Sequence, residues 1–257
     1  MPKSDKPDGS SWRWRSGIMI LTGDATVVMR DNNLAIIARP NSGITKVEDL
    51  AGKRVASAAG TDTDKYLKAV LLKNKVPLDK VEFVNIQNPN ALAAITGGGV
   101  DAVATLEHYG ELILARAPGT TVVSRGGGYV AQRIMTMVTQ DWLMKNRAVA
   151  ERLASAYAEA AQYTRQHPED AGDSSSTFLS GLEPAIARKA VRHVAFDPRF
   201  SWTFGASWDA ENETLLAQNK IKQAIPISEG FDPAVSEKVL KDHPELFADL
   251  SPIPAKP

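Results

Sequence analysis

Cysteine is absent from all 257 residues, and that absence removes thiol nucleophiles, thiolate metal sites and disulfides together. Histidine is scarce: four residues, none clustered, so the sequence shows no imidazole-rich metal site. Neither sign of charge is in excess. Thirty basic residues face thirty acidic ones, which argues against holding nucleic acid by neutralising phosphates. No apolar run reaches the ~20 residues that a membrane-spanning helix needs. His-Glu-x-x-His and Gly-x-Ser-x-Gly are missing, and both glycine triplets (97–99 and 126–128) lack the Gly-Lys-Ser/Thr ending of a phosphate loop. A secretory leader needs about 7–15 apolar residues and a small-residue cleavage site, whereas Trp12-Arg13-Trp14-Arg15 precedes only the short run Gly17 to Leu21. Met1 to Ser10 reads as a polar tail. Enzyme chemistry is poorly signalled, and a binding role is the simpler reading.

What is present is a strand-and-helix rhythm. Asn33 to Ala38 suits a buried strand. Thr45-Lys46-Val47-Glu48 reads as a capping box opening a very short helix that Gly52 stops. Strands are expected over 53–58, 81–86, 100–105, 121–123 and 134–138. Tyr66, Leu67, Val70 and Leu71 mark one face of a helix over 64–75, and another runs from Ala91 to the first glycine triplet. This alternation predicts a parallel sheet covered by helices. From Thr139 the character changes: one long amphipathic helix over 141–167, then helices over 180–194, 208–219 and 233–241. Glu169-Asp170 reads as a solvated loop pair, and His-Pro-Glu at 167 and at 243 as helix-ending turns. Chain crossovers are expected near 39–43 and 128–136, with the glycine triplets as hinges.

Three strands end in polar, helix-starting loops: Ala58 to Thr63, Gln87 to Asn90, and Thr105 to Tyr109. Carboxyl ends of strands in an open α/β sheet share one edge, where small ligands bind. Gly60-Thr61-Asp62-Thr63 is the leading candidate, because a helix start offers free N–H groups to an anion. The plainer reading makes Thr61 an N-cap with Asp64 completing the turn, and the two are compatible. Asp62 would repel an anion. Asn88 and Asn90 start a helix and can reach the same edge. Glu107 can accept a ligand amine or cap the following helix, and His108 reads as a helix-start histidine. Arg133 can grip a carboxylate or sulfonate with its forked donors, or serve in a salt bridge between lobes. The turn Asp197-Pro198-Arg199 can hold Arg199 toward the cleft. Trp202 and Trp208 read as packing.

Ser42-Gly43-Ile44, Val47-Glu48-Asp49-Leu50-Ala51-Gly52-Lys53-Arg54-Val55-Ala56, Gly60-Thr61 and Gly99-Val100-Asp101-Ala102 carry a family pattern. So do Thr139 to Leu143, Phe196 to Arg199 and Pro244 to Phe247. The chain resembles the substrate-binding proteins of ABC importers for nitrate, sulfonates and taurine, from about Asp31 to Leu250. The resemblance implies an α/β, periplasmic-binding-protein-like (type II) fold of two lobes joined by paired crossovers. Lobe 2 is then 46–128, and lobe 1 is 18–45 with 129–257, after a non-family tail over 1–17. Members carry roughly two βα units ahead of the segment that starts here near Asp31, about 60–80 residues at ~30 per unit. Lobe 1 is therefore expected to lack its first strands. The implied function is capture of a small organic anion and delivery to an ABC permease, in the periplasm, as a monomer, without cofactor or metal. Relatives often show Trp-Glu-Pro where this chain has Leu106-Glu107-His108, so ligand identity does not transfer. A thiamine-pyrimidine-synthase-like enzyme of the same fold is the alternative, set against by the missing cysteines. A sensory domain, or a truncated non-binding fragment, completes the alternatives.

Overall fold

The computed structural model describes residues 18–23, 32–130, 135–179, 181–199, 203–217, 219–227 and 232–252. Two sheets form. Strands β1 (Ile18–Gly23) and β7 (Met135–Thr139) pair antiparallel. The larger sheet takes β2 (Leu34–Ala38), β3 (Arg54–Ser57), β4 (Glu82–Asn85), β5 (Ala102–Leu106) and β6 (Thr121–Arg125) in the order β4-β3-β5-β2-β6.

The expected all-parallel sheet is corrected here. β3 is parallel to β4 and β5, but β2 runs antiparallel to both β5 and β6. Every residue of β2 is buried, and the two faces go to different layers. Leu34, Ile36 and Ala38 pack with Tyr66, Leu67 and Val70 of α1 (Asp62–Lys73). Ala35 and Ile37 pack with Ile95 of α2 (Ala91–Thr96) and Ile113 of α3 (Tyr109–Arg116). An unbroken apolar run signals such a strand but carries no mark of its direction.

Residues of the family pattern hold the sheet's far edge. The Asp49 carboxylate accepts from the Thr45 and Lys46 amides (2.9 and 3.2 Å) and from the Thr45 hydroxyl, closing the turn that starts the 3-10 segment Val47–Leu50. Asp101 accepts from the Arg54 amide at 3.0 Å and pairs with the guanidinium groups of Arg54 and Arg39 at 3.2 Å each. Burial pushes the Asp101 carboxyl up, but these donors outweigh it and hold it at about 2. Asp101→Asn is therefore expected to cost about 1–2 kcal/mol near neutral pH. A depressed carboxyl contributes above its unfolded value and loses that contribution as pH falls. The gap between parent and variant in urea unfolding should thus close between about pH 4 and pH 2.

The rest is helical. α4 (Gln140–Lys145) and α5 (Arg147–Gln166) replace the expected single helix, because Asn146 breaks it: its side-chain amide donates to the Trp142 carbonyl at 2.9 Å. α6 (Pro168–Phe178) corrects the loop reading at 169–170. Proline opens it, Glu169 and Asp170 sit in its first turn, and Glu169 pairs with Arg188 and Arg192. α7 (Pro184–Val191), α8 (Thr203–Ala217) and α9 (Ala234–Asp242) follow. A separate apolar cluster joins Ala150, Ala154 and Ala158 of α5 to Val235 and Val239 of α9 and to Phe247.

Candidate functional site

β3, β4 and β5 point the same way, and so does β6, which is antiparallel to β2. Their carboxyl ends at Ser57, Asn85, Leu106 and Arg125 therefore share one edge with the start of β2. Three of the predicted segments meet there: Gly60 to Thr63, Asn88 to Asn90, and Glu107.

The β3–α1 loop is braced by its own side chains. The Thr61 hydroxyl donates to the Ala58 carbonyl at 2.7 Å and lies 3.0 Å from the Thr63 hydroxyl. Thr63, fully buried, accepts from the Ala58 amide at 3.3 Å. With its one proton on Ala58, Thr61 must accept from Thr63, so both hydroxyl protons are engaged inside the loop. The Asp64 carboxylate accepts from Ser57, from the Gly60 amide (3.1 Å) and from Lys68 (2.9 Å). Burial raises that carboxyl, but the Lys68, Gly60 and Ser57 donors overcome it and leave it below the usual range. Gly60 takes φ +76°, a conformation only glycine adopts without strain. No side chain caps α1, and the amides of Asp62, Thr63 and Asp64 have no acceptor within the helix. The donors this loop can offer are thus backbone amides. Asp62, half-buried, is the first residue of that turn.

Asn85, the last residue of β4, accepts from the Ala59 amide at 3.1 Å and ties the first two loops together. Asn88 accepts from the Thr105 hydroxyl at 3.0 Å, tying the second loop to β5. Asn90 is exposed, and its amide donates to the Gln87 carbonyl.

Glu107 is nearly sealed from solvent. One carboxylate oxygen accepts from the Glu111 amide at 3.0 Å, so it caps α3 as the plainer reading held. The other pairs with Arg125, which also reaches Glu111 at 3.1 Å and the Asn32 carbonyl at 3.3 Å. His193 approaches Glu111 at 3.1 Å. Burial pushes the Glu107 carboxyl above the usual range, and Arg125 only partly offsets it. Burial also lowers the neighbouring His108 imidazole, whose ring centre lies 4.3 Å from that of Tyr109. Among the described residues, Glu107, Glu111 and His193 are the group whose donor atoms come close enough to share a metal ion. The Arg125 guanidinium already bridges the two carboxylates, so the cluster is an ion-pair network.

Arg199 is buried and engaged in its own turn, with Asp197 at 2.8–2.9 Å and the Ser251 carbonyl at 2.8 Å. Trp208 donates to the Ile225 carbonyl at 2.6 Å. Arg133 and Trp202 lie outside the described residues. Sequence reasoning missed Arg125 and Asn85. Each is the polar residue that ends a strand, which was the available signal.

A mixed α/β sheet layered between helices, with its loops gathered at one strand-end edge, defines the periplasmic-binding-protein-like fold. The periplasmic aliphatic sulphonate binding protein SsuA of Escherichia coli shares it, at TM-score 0.69 and 18% identity over 84% of this chain and 73% of that one. So does the desulfurization enzyme DSZB, at TM-score 0.65 and 17% identity over 89% and 79%. Within that fold the chain belongs to the NMT1/THI5-like family, whose pattern matches residues 24–171. A candidate aliphatic sulfonates-binding protein of Bacillus subtilis is 23% identical over 219 residues, 81% of this chain. The chain spans 63% of the length of that relative.

Proposed function

We propose that this chain is the solute-binding component of an ABC import system. It captures a small organic anion at the strand-end edge and hands it to a transmembrane permease from the periplasmic side. Family membership and a relative named for aliphatic sulfonates support the ligand class. The carrying observation is the β3–α1 loop, where uncapped first-turn amides of a 12-residue helix face a polar edge braced by Asn85 and Asn88. In this reading Gly60, Thr61, Asp62, Thr63, Asn88, Asn90 and Glu107 form or support one wall, and Arg133 and Arg199 belong to the opposing lobe. One lobe is the larger sheet with its helices; β2 lies inside that sheet, between β5 and β6, so the expected boundary at 46 is corrected to one ahead of Leu34. The other lobe holds β1, β7 and the helices of the α5 cluster. Ligand bridging the two lobes favours the closed state by its differential affinity for it.

Asp62 shapes the selectivity. Its carboxylate shares the turn with the amides that would hold the anion, so a second negative charge there is disfavoured. Asp62→Asn is expected to tighten ethanesulfonate about two- to fivefold. Taurine, which carries its own ammonium group, should gain less. Calorimetric titration of parent and variant with ethanesulfonate, taurine and nitrate tests the assignment. Parent protein that binds none of the three at millimolar concentration would remove the proposed ligand class.

A further inference from the structure

α6 and α7 form a stiff hairpin. The α6 glycine Gly172 lies directly against the α7 backbone: a Cβ there would fall 2.5 Å from Arg188 Cα. Arg188 grips Asp173 with two hydrogen bonds of 2.7 and 2.8 Å, and Arg192 pairs with Glu169. One end of the hairpin continues from α5, with only His167 between them. The other end sits on α3 of the large sheet, where Leu182, Ile186 and Ala187 cover Leu112. Polar contacts flank that apolar seat, the Arg116–Glu183 ion pair and the approach of His193 to Glu111 at 3.1 Å. The hairpin thus ties the α5 cluster to the sheet layer.

The seat is wired to the strand-end edge. Glu111, which receives His193, shares Arg125 with Glu107, and the Glu107 carboxylate accepts the Glu111 amide. The charged groups around His193 are therefore Glu111, with Glu107 and Arg125 behind it, while Arg192 on its own segment is paired with Glu169. We infer that the α6–α7 hairpin is a strap whose seating on α3 sets the position of the Glu107–His108 loop. It acts through Glu111 and Arg125, which are positioning residues. The strap would let movement of the C-terminal helices alter the strand-end edge without any contact to ligand. Its relevance to solute capture rests on the reading of that edge as the binding site.

Four histidines make the imidazole NMR signals of the full chain assignable, and the measurement needs no ligand. Glu183→Arg places a repelling charge opposite Arg116 on a largely exposed side chain that makes no cap bond. Leu112→Ser removes the apolar seat. Both variants are expected to move the His193 and His108 signals by more than a linewidth and leave His243, in the turn after α9, in place. A His193 signal that moves while His108 stays fixed would overturn the coupling. Signals unchanged in both variants would overturn the strap itself. If Leu112→Ser loses the dispersed spectrum of a folded chain, Glu183→Arg decides alone. Failure here leaves the titration with ethanesulfonate standing, and failure of that titration leaves the strap standing.

Discussion

Arg125→Met is expected to lower the unfolding free energy by about 3–5 kcal/mol, the usual cost of leaving a buried charge without its partner. The reason is stoichiometric. One guanidinium serves two carboxylates, Glu107 and Glu111, whose side chains are only 2% and 10% exposed. Removing it strands both. Glu107→Gln removes one acid instead and leaves Arg125 paired with Glu111 one to one. The glutamine oxygen still accepts the Glu111 amide, so a loss below about 1 kcal/mol is expected. Burial already holds the Glu107 carboxyl above its ordinary range, so the native state binds this proton more tightly than the unfolded chain does. Stability from such a group is present at low pH and is lost as pH rises through its native value. The Arg125→Met deficit should therefore shrink as pH falls from 7 toward 5, and chemical denaturation at both pH values measures it. Equal costs for Arg125→Met and Glu107→Gln would show that the network does not carry the energetics assigned to it.

Gly172→Val should destabilise by about 3 kcal/mol, the upper part of the range for overpacking. Helix propensity alone predicts the opposite sign for the first methyl group, since alanine is favoured over glycine by about 1 kcal/mol in a helix interior. Here the added Cβ would meet Arg188 Cα at 2.5 Å and Arg188 N at 2.7 Å. Those are backbone atoms, so relief requires moving all of α7 away from α6. Displacing α7 also disturbs its seat on Leu112, so thermal unfolding should report the loss. A variant as stable as the parent would mean that the hairpin separates at little cost and cannot act as a strap.

Local patterns carried much of this fold and less of its assembly. Leu34–Ala38 reads as a strand because it is short, apolar and bounded by polar residues, and it is one. Its direction is set by which strands it joins, a long-range choice that five apolar side chains do not record. Helix α1 is legible from Tyr66, Leu67, Val70 and Leu71, all fully buried against the sheet. Helix α6 is not. Its core positions are small and polar, and the burial that holds it is the backbone contact at Gly172, which has no hydrophobic period. The strand-end edge was legible from its loops. The direction of hydroxyl protons was not: the fold turns those of Thr61 and Thr63 on Ala58 and on each other. Glu107 kept two readings until its partners were placed. Arg125 lies 18 positions away, so no local spacing links the pair.

The interior place of β2 has a consequence for how this chain is made. β2 lies between β5 and β6, yet both partners follow it in the chain. A ribosome adding about 5–20 residues per second needs several seconds to reach β5, which begins roughly 65 residues after β2 ends. Throughout that interval a wholly apolar segment waits outside any sheet, while β3, α1 and β4 are free to assemble first. Its insertion between β5 and β6 must come late. During synthesis this leaves the apolar run Leu34–Ala38 exposed to wrong partners until β5 and β6 exist.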